Sequence, residues 1–149
     1  MKAVLVRLFA VGQNSQSVDL ALLLLRIMVT TSLIYHHGIA KILDWNLLTT
    51  HPLDPIGIGV VPSLIYAGFC DLLCAFLVLV GFATRISSFF CITTLATVAF
   101  LMDHALTTPY FPIPHTGHGE ISWVYMAAFV VTIIAGPGRY SVDAKLRLS

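Results

Sequence analysis

Residues 19–41 read DLALLLLRIMVTTSLIYHHGIAK. Between Asp19 and Lys41 the only formal charge at neutral pH is Arg26. At the rise of an α-helix such a stretch is about 34 Å long, enough to cross a ~30 Å hydrocarbon core. Three more charge-poor apolar stretches follow, at 62–81, 85–102 and 120–136. With charged residues at 10% and a mean hydropathy of +0.91, a water-soluble domain is excluded. The expected fold is all-α: an integral membrane four-helix bundle occupying 19–138, flanked by a segment 1–18 and a tail 139–149.

The second and third spans are separated only by Phe82, Ala83 and Thr84, so they form an antiparallel hairpin. Longer connections, 42–61 and 103–119, lie at the other end, and neither can fold as a separate domain. Four spans place both termini and the 82–84 turn on one side, with Lys2, Arg7, Arg85, Arg139, Lys145 and Arg147. The opposite side has Lys41. That asymmetry predicts cytoplasmic termini. Val4, Leu5, Leu8 and Phe9 share one helical face beside Lys2 and Arg7, the pattern of an interfacial helix. A net charge of +1 gives no basic surface for nucleic acid.

In a bilayer the informative residues are the embedded polar ones, because a charge facing lipid costs several kcal/mol. On the first helix Arg26, Thr30, His37 and Lys41 fall within about 60° of one another. On the second, Asp71 sits near mid-depth among small residues such as Ala67, Gly68, Cys74 and Ala75, which allow close helix approach. The expected solution is an Arg26–Asp71 ion pair inside the bundle. Cys70, Cys74 and Cys91 all fall within spans, and Cys70 and Cys74 share one helix, so they read as small buried residues.

A second polar group gathers at the outer mouth: His37, Lys41, Asp103, His104 and Glu120, with His36, His115 and His118 as weak metal-ligand candidates. Such a set suits a polar pocket for a small ligand, a proton relay beside a quinone, or less specifically a metal or haem site. The same residues also suit simple hydrogen bonding at the interface. No GxGxxG, CxxCH or iron–sulfur cysteine set is present.

The run LLLLRIMVTTSLIYHHGIAKI at 22–42, the acidic Asp71, LVGFATRIS at the tight turn and AGPGRYSVD at 135–143 resemble the DoxX-like family. The positions that carry the resemblance are Arg26, His37, Gly38, Lys41, Asp71, Gly81, Arg85 and the 136–139 turn. Relatives more often have glutamate where this chain has Asp71. The resemblance implies a small bacterial inner-membrane protein linked to respiratory or redox chemistry, one relative being the membrane subunit of a quinone-reducing thiosulfate oxidoreductase. It implies an accessory subunit of a larger membrane complex, or a self-associating one. A quinone-linked oxidoreductase subunit and a small-molecule or metal transporter are the alternatives.

Overall fold

The computed structural model describes residues 15–50, 54–102 and 119–146. Its long helix α1 runs as α-helix over Ser15–Leu33, as a π-helical turn over Ile34–Ile39 and as α-helix again over Ala40–Leu43. After a turn at Asp44 comes the short α2, Trp45–Thr50. Helix α3 comprises Val60–Gly68, a π turn at Phe69–Cys74, and Ala75–Val80. Helix α4 covers Thr84–Thr97 and ends in a π turn, Val98–Met102. Helix α5 is Gly119–Ala135, and α6, Val142–Lys145, is a single turn.

Three helices are long and apolar enough to cross a membrane: Gln16–Leu43, Val60–Val80 and Thr84–Leu101. The fourth apolar helix is shorter, at 17 residues in α5, or about 25 Å of rise. All described secondary structure is helical, as required where no water is available to satisfy an open sheet edge. The protein is thus a membrane helical bundle. Large apolar side chains such as Met28, Ile65, Ile86, Val124 and Ile134 point outward, while Arg26, Thr30, Asp71, Ser88 and Thr132 are buried. Ser88 and Thr132 hydroxyls meet at 2.7 Å across the α4–α5 contact. Ser32 and Tyr125 do the same at 2.6 Å between α1 and α5.

The middle of the bundle is largely apolar. Leu33, Cys74, Ala75, Val78, Cys91 and Phe129 form one apolar cluster, with each side chain at most 2% exposed. Cysteine and alanine keep it narrow enough for the helices to approach closely. All three cysteines are buried free thiols.

The segment after Gly138, expected as a tail, packs against the bundle. Asp143 N–H donates to Gly81 O at 2.8 Å, and its carboxylate accepts from Ala83 N–H, Thr84 N–H and Thr84 Oγ1 at 2.8, 3.0 and 2.9 Å. A carboxylate at the start of α4 is where the helix dipole and the unpaired N–H groups favour it. Ser141 caps α6 by accepting from Ala144 N–H at 3.1 Å. The chain reverses through Gly81 at φ +74°, where a Cβ would also overlap Arg26 Nη1 and Ser141 Cβ. The interfacial helix expected within 1–18 falls almost wholly outside the described residues.

Candidate functional site

The expected Arg26–Asp71 pair is replaced by a different arrangement. Lys41 Nζ donates to Asp71 Oδ2 at 2.6 Å and to the His37 carbonyl, one turn back, at 3.3 Å. Depth explains the change. In the antiparallel α1–α3 pair, Gly38 lies against the Asp71 backbone, where an added Cβ would sit 2.9 Å from Asp71 O. Arg26 is twelve residues below that level, about 18 Å along the rod. There its guanidinium donates to Tyr140 O at 2.6 Å and Val78 O at 3.5 Å, with the charge of Asp143 acting on it from nearby. Arg26 belongs to the base of the bundle.

Phase matters as well as depth. Buried positions on α1 run Leu22, Arg26, Thr30, Leu33 and then Gly38. The last step is five residues long because the π turn inserts extra chain there. A regular helical wheel cannot place Lys41 correctly beyond it. The π turn of α3 carries Asp71, and the two turns touch through Gly38. π turns often accompany functional sites.

Beside the ion pair lies a cavity of about 350 Å³, lined by residues of all five helices α1–α5. Its polar lining includes His36, His37, Lys41, Asp71, Ser122 and Tyr125, while Leu64, Ala67, Leu95 and Val98 supply apolar walls. The Tyr125 hydroxyl is held by Ser32, and its ring stands edge-on to His37 with centroids 6.1 Å apart. Lys41 is 22% exposed through its side chain, whereas Asp71 is 4% exposed. Asp71 Oδ1 is buried and has no hydrogen-bond partner among the described residues. A buried carboxylate oxygen without a donor costs about 1–3 kcal/mol.

One wall of the cavity comes from the 54–59 connection, through Pro55 and Ile56. Asp54 organises it. Its Oδ1 accepts from Ser63 Oγ at 2.7 Å, Gly57 N–H at 3.0 Å and Ile58 N–H at 3.2 Å. Oδ2 accepts from Gly59 N–H at 2.6 Å. The Ser63 hydroxyl first, and the backbone N–H groups with it, hold this carboxyl below its usual range, against a smaller opposing desolvation. The Ser63 contact also fastens the connection to the first turn of α3.

Of the expected outer cluster, His37 and Lys41 line the cavity together with His36. Asp103, His104, His115 and His118 lie outside the described residues, as does the side chain of Glu120. Among the described residues, no three His, Cys, Asp or Glu side chains gather to hold a metal ion. Sequence reasoning missed Asp143, Asp54 and Tyr125. A signal existed for the first: Gly136, Gly138, then Ser141 three residues before Ala144 is a turn followed by an N-capped helix start.

The DoxX family profile matches residues 21–104, more than half of the chain and inclusive of Arg26, Lys41 and Asp71. Searches of curated proteins and of solved structures give no match.

Proposed function

The chain belongs to the DoxX family, and from that premise we propose that it is a membrane subunit of a larger redox assembly whose cavity takes a quinone-type headgroup. One observation carries this reading. The Lys41–Asp71 ion pair, with the lysine partly exposed, borders a mostly apolar cavity of about 350 Å³, within the size range of ligand sites. Lys41 presents an ammonium donor to a ligand oxygen, and apolar walls at Leu64, Ala67 and Leu95 suit a ring and the start of a lipid tail. His36 and His37 border the same space. The chain has no electron-carrying motif, so electrons would come from a partner subunit.

In this reading the protein sits in a bacterial inner membrane with both termini cytoplasmic. Arg85, Arg139 and Lys145 support that orientation, since all three lie at the base end. The cavity then opens near the outer leaflet. Ala67→Trp fills the cavity from its apolar wall and leaves Lys41 and Asp71 unsubstituted. Protein isolated in mild detergent should carry quinone-type lipid by mass spectrometry, and the variant should carry at least about tenfold less. Equal recovery from both would refute the site.

A further inference from the structure

A second cavity, of about 370 Å³, lies at the base of the bundle, the end opposite Lys41 and Asp71, and Phe82, Arg85, Ile86 and Pro137 are in its lining. We infer that it binds an anionic phospholipid, with the Arg85 guanidinium as the phosphate ligand. Three observations point to that occupant. Arg85 is exposed, and among the described residues neither an ion pair nor a side-chain hydrogen bond engages it. Its guanidinium lies over Gly136, where an added Cβ would meet Nη2 at 3.4 Å and Nε at 3.9 Å. An uncommitted cation thus sits against the turn that follows α5, with the planar donor fork that suits a phosphate.

Apolar surface borders this charge: Phe82 is 40% and Ile86 65% exposed. An inorganic anion or an acidic peptide would leave both side chains in water. A phospholipid joins phosphate to acyl chain in one molecule, so it covers the guanidinium and its apolar neighbours together. The height agrees as well. Arg85 is in the first turn of α4, and Thr84–Leu101 is long and apolar enough to cross a membrane, so the guanidinium stands at headgroup level. Asp143 also lines the cavity, but its charge is largely compensated. Its two oxygens accept the three hydrogen bonds at the start of α4, and the charge of Arg26 acts on it. The helix start is therefore taken, and the phosphate falls to Arg85.

The test places the full chain in nanodiscs of equimolar phosphatidylglycerol and phosphatidylcholine. Native mass spectrometry then counts the lipids that stay bound on release. Phosphatidylglycerol should be retained about fivefold over phosphatidylcholine. Arg85→Gln should bring that ratio close to one, whereas Arg139→Gln, outside the cavity lining, should change it less than about twofold. Equal retention of the two lipids by the unaltered chain, or a ratio that Arg85→Gln does not lower, would overturn the site. A ratio lowered equally by Arg139→Gln would show general surface attraction and overturn it too. Phosphatidylglycerol added in detergent should raise the unfolding temperature, and inorganic phosphate at the same concentration should not. An equal rise with phosphate would assign the cavity to a free anion and overturn the lipid. If Arg85→Gln does not fold, Ile86→Ser keeps the guanidinium and removes apolar cover. That variant should retain at least about twofold less phosphatidylglycerol, and unchanged retention would overturn the proposal.

Discussion

The two ends of the bundle both bury charge, and they use it differently. At the base, Asp143 is spent on backbone and hydroxyl donors at the start of α4, and Arg26 on carbonyls of α3 and of the chain after Gly138. Each charge ties together segments far apart in sequence, without a direct bond between the two side chains. At the other end Lys41 and Asp71 face each other beside open space, and one carboxylate oxygen is left over. A charge consumed by backbone groups builds architecture, since those groups would otherwise go unpaired in a dry interior. A charge opposed by another charge at a cavity keeps the capacity to engage a third party.

The sharpest way to break this contrast is Asp143→Ala. It strands three donors and removes the counter-charge of Arg26, so about 3–5 kcal/mol of stability should go. Thermal unfolding in detergent measures it. A loss smaller than that caused by replacing both Lys41 and Asp71 would reverse the roles given to the two ends. Next comes Gly81→Ala, which puts a side chain at φ +74° and into the space of Arg26 Nη1. We expect about 2–4 kcal/mol by the same assay, from backbone strain plus overpacking.

The outer end should behave otherwise. Replacing its pair with apolar residues, as in K41M/D71L, should alter stability by no more than about 1 kcal/mol, because desolvation offsets most of what a buried pair gains. The same variant should bind ligand poorly. A collapse in stability comparable to Asp143→Ala would make the pair architectural too.

The smallest effect concerns Asp54, a half-buried carboxylate whose role is to order the cavity wall. Its folded-state pKa lies below the ordinary 3.8, so its contribution is fully present above that value. It is lost as the pH falls through the lowered folded value. Amide exchange at Gly57, Ile58 and Gly59, corrected for its intrinsic pH dependence, should quicken only below about pH 4. Unchanged protection there at pH 3 would show that the loop does not depend on this carboxylate.

Helix identity was legible because lipid imposes a simple rule: long charge-poor runs cross, and embedded ions turn inward. The importance of Arg26, Lys41 and Asp71 followed from the same rule. Which of them pair was not legible, for two physical reasons. The wheel assumes 3.6 residues per turn, and the π turn at Ile34–Ile39 breaks that phase just before Lys41. Relative depth in an antiparallel pair depends on where backbones touch, here Gly38 on Asp71, and composition does not encode that register. Asp143 escaped notice because a polar segment beyond the last apolar helix reads as solvent-exposed, whereas this one closes the base.

The apolar layer between the ends keeps the two buried charge sites apart. Leu33, Val78 and Phe129 pack together there, and the buried hydroxyls of Thr30, Ser88 and Thr132 are paired with each other or with carbonyls of their own helices. Substitutions at Arg26 and at Lys41, far apart along α1, should therefore change stability additively.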